Sequence, residues 1–396
     1  MRDWLAFLQQ KDVQQFIKLN EGTDLQKLIL NPPKFKSQIR LIADQLQSRQ
    51  KAKGKLNNWL SKHDLIFPPP LSVEQASSEK TAEYKERLLN GTHLIDLTGG
   101  AGVDCLHLSK NFNQTTYVEE NSHLCEVFTH NVGVFNQSID VVNNDSLSYA
   151  SGLKADQGID FFVDPARRDQ AKKKVFKLAD CSPNLLTLLP ILKVKGKRVL
   201  VKLSPILDLK SIMDEVSHIG EIHVVSVKNE CKELLLLLDF RSNKHPTIKT
   251  VNLSEQEETF DFQFQEETDA DLHVEELKTY LYEANSSILK AGAFKLIGNR
   301  FEIGKVARHT HLYTSDRCID HWPGKIFKLI EAKASKAALK RFAQDGRINV
   351  VTRNYPINAK ELKHKFKLKD GGDYFLIGMR GLKDKPHLVI AKRIIK

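Results

Sequence analysis

Several short apolar runs in the first 210 residues end in acidic or glycine-rich clusters, and those clusters have side chains suited to chemistry. In "IDLTGGAGVD", Asp96 closes the run, and Gly99, Gly100 and Gly102 allow a tight turn and close backbone approach to a ligand, with Thr98 between them. Twenty-three residues after Asp96, Glu119 follows "TTYV", the separation at which an acid accepts both hydroxyls of a ribose. Asn144 and Asp145 end "IDVVNND", where a carboxylate can meet the exocyclic amine of a purine. In "VDPARRD", Asp164 can accept a hydrogen bond from an NH2 group and align the nitrogen lone pair, while Pro165 makes the turn rigid. Arg167 can stack on a flat ring or hold a phosphate, and Arg168 can pair with Asp169 or with substrate. Lys202 and Ser204 close "KRVLVKLSP". A single strand-end carboxylate is most simply a solvated one. Three at successive strand ends point to a nucleoside cofactor.

The elements that must position these residues follow from periodicity. From Leu71 to Phe240, β-rich runs ("HLIDLTGG", "TTYVEEN", "IDVVNND", "IDFFVDP", "KRVLVKLSP") alternate with helical ones, which predicts an α/β, Rossmann-like doubly wound sheet. Its last two runs, "EIHVVSVKNE" and "KELLLLLDF", are joined by a short polar turn and predict an antiparallel edge pair. Such a sheet binds ligands outside the carboxyl ends of its strands, where the clusters fall. Residues 1–70 alternate at helical spacing and stop at "FPPP". Two small α+β domains are expected at 246–323 and 324–396, leaving 71–245 for the sheet domain. The third piece is read as the strand "TFDFQF", a long helix over "LHVEELKTYLYEANSSILKAG" and the segment "FKLIGNRFEIG"; the fourth is read as opening on a helix, "KIFKLIEAKASKAALKRFAQDG".

Composition narrows the partners. The chain has 396 residues and a formal net charge of +11. Residues 324–396 carry 19 Lys plus Arg against 6 Asp plus Glu, whereas 245–323 carry 8 against 14. A cationic unit with interleaved aromatics suits a polyanion, because lysines and arginines at phosphates release condensed counterions. The longest purely apolar run, Leu234 to Leu238, is too short to cross a bilayer, and with no apolar leader a cytoplasmic location is expected. The five scattered cysteines form no CxxC pair, so neither a metal centre nor a disulfide framework is expected. His309 and His311 read as ordinary strand residues, Trp322 as packing, and the run Arg49, Lys51, Lys53 and Lys55 as a solvated helix end.

On the Asp96–Gly102 loop, the strand order and the paired final strands, residues 71–245 resemble the class I S-adenosylmethionine-dependent methyltransferases. Amine-methylating members carry an Asp or Asn, two prolines and an aromatic at the end of the fourth strand. Asp164 and Pro165 match that pattern; Ala166 and Arg167 depart from it, and Thr98 stands where glycine is common. Over nearly the whole chain the layout resembles a small bacterial methyltransferase family with a ferredoxin-like domain and a C-terminal THUMP-like domain. "LSVEQASSEKTAEYK", "VKLSP" and "YEANSSILKAGAF" carry that resemblance as well. It implies S-adenosyl-L-methionine as cofactor, held by Gln75, Ser78, Asp96, Thr98, Gly99, Gly100, Gly102, Glu119, Asn144, Asp145 and Asp164. It further implies an RNA substrate, tRNA or rRNA, engaged by Arg167, Arg168, Lys202 and Ser204, with Asp164, Pro165 and Arg167 at the reacting nitrogen. Either Gln75, Ser77, Ser78 and Thr81 close over the methionine end of the cofactor, or Ser78 with Thr81 simply caps a helix. The lack of a cysteine at "VKLSP" disfavours methylation at a pyrimidine C5 and favours guanine N2 or adenine N6. Two other readings stand beside this one: a methyltransferase fold that binds RNA without catalysis, and a methyltransferase of a protein or small molecule.

Overall fold

A computed structural model describes residues 3–167, 178–242 and 245–394. The chain divides into two compact units, residues 1–221 with 234–244, and residues 222–233 with 245–396.

In the first unit, β1 (Gly91–Asp96), β2 (Phe112–Glu119), β3 (Asp140–Asn143), β4 (Ile159–Val163) and β5 (Arg198–Leu203) are parallel, with helices between them. β7 (Glu230–Asp239) runs antiparallel to β5 through Leu234–Asp239, and with β6 (Ile219–Val227) this part of the sheet has the order 3-2-1-4-5-7-6; residues 222–233 of the pair are counted in the second unit. This is the Rossmann-like doubly wound sheet that the alternation predicted. β4 is buried at every residue, as a central strand covered on both faces must be. It tolerates Asp160 because Arg198, its partner across the ladder, grips the carboxylate at 2.9 and 2.6 Å.

The N-terminal helices have their own core around Val13, Ile17, Ile42 and Leu46. The basic run at the end of helix Ile39–Ala52 departs from expectation. Arg49 is buried over the Phe67 ring with Glu21 at 3.5 Å. Lys51 pairs with Glu74, and Lys55 donates to the carbonyls of Val73 and Glu74 at 2.9 and 2.7 Å. Lys51 and Lys55 tie down the helix Pro70–Gln75, Arg49 is engaged by Glu21 and Phe67, and Lys53 is exposed as expected.

The second unit holds the antiparallel pair β8 (Thr247–Leu253) and β9 (Glu258–Gln263), which follows β6 in a nine-stranded sheet so that the pair expected at the edge has two further strands beyond it, and a separate seven-stranded sheet. The strands of that sheet are β10 (Tyr280–Ala284), β11 (Gly304–Ala307), β12 (Thr310–Ser315), β13 (Gly324–Glu331), β14 (Asn349–Arg353), β15 (Tyr374–Arg380) and β16 (Pro386–Ile394), in the order 11-12-10-13-16-15-14. Two expected helices are strands at their decisive residues. "YLYEA" forms β10 and "GKIFKLIE" forms β13, and they pair with each other. From Phe327 to Ile330 β13 alternates (Phe327 buried, Lys328 exposed, Leu329 half-buried, Ile330 exposed), the period of a strand, whereas β10 is buried from Leu281 to Ala284 as an interior strand is, and Asn285 and Ser335 cap the short helices that follow. Trp322 is fully buried against Tyr282, Phe301 and Tyr313, and donates to the Glu283 carbonyl at 3.1 Å. Buried Glu283 takes Lys325 from β13 at 3.3 Å and Arg353 from β14, so one carboxylate ties three strands of the sheet.

Candidate active site

The carboxyl ends of β1 to β5 converge. Asp96 lies opposite Tyr117 and Phe162, Glu119 opposite Asn143, and Val163 opposite Val201, so Asp164 and Lys202 leave neighbouring strands at the same level. Among the residues expected to act, the structure brings Asp96, Thr98, Glu119, Asp164 and Lys202 into one connected region.

The glycine turn does two separate jobs. A Cβ on Gly99 would lie 2.1 Å from the Tyr117 ring, and one on Gly102 would lie 2.2 Å from Phe128. Tyr117 and Phe128 stack at 3.9 Å beneath the loop, so these two glycines let the backbone settle on an aromatic floor. Gly100, with φ of +54°, aims its N–H at Glu119 Oε2 at 2.9 Å, and its carbonyl accepts the Tyr117 hydroxyl at 2.7 Å. Glu119 Oε1 accepts the Asn121 N–H at 2.9 Å. Both carboxylate oxygens are thereby fixed, each with a lone pair left for a hydroxyl.

Thr98, the residue at a position where glycine is common, acts as a tie. Its N–H binds Asp96 at 3.0 Å, and its hydroxyl accepts the Asp164 N–H at 2.6 Å, joining the first loop to the fourth strand end. Asp96 is buried, which pushes its carboxyl well above the ordinary range; Asp104, Asp164 and Glu119 add to the push, and the Thr98 N–H opposes it. Burial and the neighbouring Asp96 and Asp104 likewise raise the Cys105 thiol, which makes it a poor nucleophile.

Asp104 and Lys85 carried no signal in the sequence, since each looks like one more charge on a helix. Asp104 accepts the Ser77 hydroxyl at 2.7 Å and pairs with fully buried Lys85 at 3.2 Å. Burial raises its carboxyl, but Lys85, Lys202 and the Ser77 hydroxyl outweigh that and hold it below the usual range. Lys202 donates to Asp164 Oδ2 and lies 3.9 Å from Asp104.

The remaining candidates sit more loosely. Asp145 is exposed and caps helix Ser146–Gly152, accepting the Ser148 N–H at 2.9 Å, while Asn144 accepts the Asp145 N–H at 2.8 Å. Of the two roles weighed for Ser78, the structure displays the cap: its hydroxyl accepts the Thr81 N–H at 3.3 Å. Gln75 is exposed at the end of its helix, and Ser204 accepts the Ile206 N–H at 3.4 Å. Pro165 is half-buried, and Arg167 lies in a two-residue strand paired with Cys181. Arg168 lies outside the described residues. Among the described residues, no group of His, Cys, Asp and Glu is arranged to hold a metal ion, and no helix is long and apolar enough to cross a membrane.

Sheet order and strand-end site together define a methyltransferase-type α/β fold. Residues 280–323 match a ferredoxin-like domain family and residues 324–393 a THUMP domain-like family. The crystal structure of a candidate methyltransferase from Porphyromonas gingivalis W83 is 29% identical, with a TM-score of 0.87 over 100% of this chain and 99% of that one. A candidate methyltransferase from Streptococcus mutans in complex with SAH matches 41% of this chain and 96% of its own, at 11% identity and a TM-score of 0.31. An rRNA methylase from Streptococcus thermophilus matches 40% and 93%, at 8% identity and a TM-score of 0.30. No curated protein matches the chain.

Proposed function

We propose that the protein is a cytoplasmic S-adenosylmethionine-dependent methyltransferase acting on an exocyclic nitrogen of an RNA base, guanine N2 or adenine N6. The observation that carries this is Asp164 set beside the Asp96–Gly102 turn through Thr98, at the same carboxyl end of the strands as Glu119. The full-length likeness to the P. gingivalis candidate methyltransferase supports it.

The residues present fit the cofactor. Glu119, already oriented by two backbone N–H groups, would take the ribose hydroxyls; Asn144 and Asp145, exposed beside it, would meet the adenine edge. When bound, the cofactor supplies an electrophilic methyl group. Asp164 then accepts a hydrogen bond from the base amine and aligns its nitrogen lone pair, so its contribution is mainly positioning.

The THUMP-like region supplies a surface suited to RNA. Helices Lys336–Phe342 and Ala359–Phe366 pack Leu339 and Leu362 onto one face of β14–β16, against Val350, Leu376 and Ile390. Their outer sides and adjoining loops expose Lys336, Lys340, Lys360, Lys365, Lys367 and Lys369. Those ammonium groups suit phosphates.

Mass spectrometry of modified nucleosides from cells with and without the gene, together with calorimetry of cofactor binding, tests the reading. The expected result is loss of one N-methylated nucleoside from RNA of the deletion strain, restored by the wild-type gene and not by Asp164→Ala. Unchanged nucleosides, with no cofactor binding by the intact protein, would overturn it.

A further inference from the structure

We propose that Lys202 is a positioning residue for the Asp164 carboxylate, and that the buried Asp104–Lys85 pair keeps Lys202 in place. This rests on the methyltransferase reading and adds to it a control over the reacting group.

Asp164 has its backbone anchored by the Thr98 hydroxyl at 2.6 Å, but that bond leaves the carboxylate free to rotate. Lys202, on the adjacent strand and only 12% exposed in its side chain, takes Oδ2. A carboxylate held at one oxygen presents the other in a defined direction, and positioning depends on that direction. Lys202 also faces a competitor, since Asp104 Oδ2 lies 3.9 Å from its ammonium. What restrains Asp104 is Lys85, 3.2 Å from Oδ1, with the Ser77 hydroxyl at 2.7 Å from Oδ2 and the Lys85 ammonium 3.1 Å from Ser77. Two lysines and two aspartates thus form a matched set along the floor of the site. With Lys85 removed, Asp104 has lost its own cation and draws Lys202 away from Asp164.

The set makes a prediction that a purely structural role would not. Lys202→Met should lower the single-turnover constant at saturating RNA and cofactor by ~10–100-fold, with cofactor Kd within about threefold of wild type. Lys202→Arg should recover part of the loss. In an Asp164→Ala background, Lys202→Met should add less than about a twofold change, because its effect passes through Asp164. Lys85→Met should also slow transfer. The double variant Lys85→Met/Asp104→Met, which replaces the buried pair with apolar groups of similar volume, should regain most of the rate because the competitor has gone. Overturning results would be a loss in RNA KM alone for Lys202→Met, a full additional loss in the Asp164→Ala background, or a double variant as slow as Lys85→Met. An arm independent of activity follows the 15Nζ resonance of Lys202, assigned by its loss in Lys202→Met. It should move in both Asp164→Ala and Lys85→Met, and an unmoved signal in those two would also overturn the proposal. A wild-type protein that binds no cofactor and methylates no RNA would instead bring down the methyltransferase reading, with the resonance still deciding whether the set forms.

Discussion

Glu119→Ala is the sharpest probe of the cofactor site, because its carboxylate is oriented before any ligand arrives. Oε2 accepts the Gly100 N–H and Oε1 the Asn121 N–H, each at 2.9 Å. Both donors lie where water can reach once the carboxylate is gone, so their loss should cost the fold only about 0.5–1.5 kcal/mol each. Binding has more to lose. Hydrogen bonds from ribose hydroxyls to a charged, preorganised acceptor are each worth about 1.5–3 kcal/mol, and a half-buried site retains roughly 2–3 kcal/mol for the pair. At ~1.4 kcal/mol per tenfold, calorimetry at neutral pH should show Kd for S-adenosylmethionine rising about 30–150-fold. Glu119→Gln keeps one carbonyl oxygen and should fall between the two. A folded Glu119→Ala protein with Kd within threefold of wild type would refute the assignment, and would mean that Glu119 serves only to shape the Gly100 turn.

Gly102→Ala should destabilise the protein by roughly 2–4 kcal/mol in urea unfolding. It adds a methyl 2.2 Å from the Phe128 ring at a φ of +82°, combining overpacking with left-handed strain; a cost below about 1 kcal/mol would show that Phe128 yields freely. Lys340→Ala/Lys365→Ala/Lys367→Ala should weaken RNA binding and make the slope of log K against log salt shallower by roughly 0.7–0.9 for each phosphate no longer neutralised, leaving cofactor Kd unchanged. An unaltered slope would move the RNA elsewhere on the protein. Asp96 has its folded-state carboxyl raised by burial, so its contribution to stability is present below the unfolded value of about 3.9 and lost as pH rises through the folded one. Asp96→Asn keeps an acceptor for the Thr98 N–H and should remove that decline. Unfolding curves for the two proteins that run parallel from pH 4 to 8 would count against a buried, raised carboxyl.

Local pattern made the first unit legible. Each parallel strand is a short β-branched or aromatic run closed by an acid, a glycine or a proline, and such a run has the same meaning wherever it lies, so the alternation of strands with helices and the strand-end candidates could be listed in advance. The second unit was less legible because "TYLYEANSSILK" and "KIFKLIEAKASKAALK" each join a strand to a helix with no breaker between them, and only pairing of β10 with β13 across some 40 residues selects the strand. The same division runs through the site. Residue types singled out Asp96, Glu119 and Asp164 as candidates, since one strand-end carboxylate needs no explanation beyond solvation but several at the strand ends of one sheet do. They could not announce that Gly99 and Gly102 make room for Tyr117 and Phe128, or that Thr98 reaches the Asp164 backbone. Nor could they tell buried Lys85 and Asp104 from surface charges, or show that Lys202 pairs with Asp164. A side chain's periodicity states which way it points, but what it meets there depends on distant chain, from Tyr117 against Gly99 to Lys202 near Asp104. For a charge, that meeting decides whether it is solvated, paired or set against a reacting group.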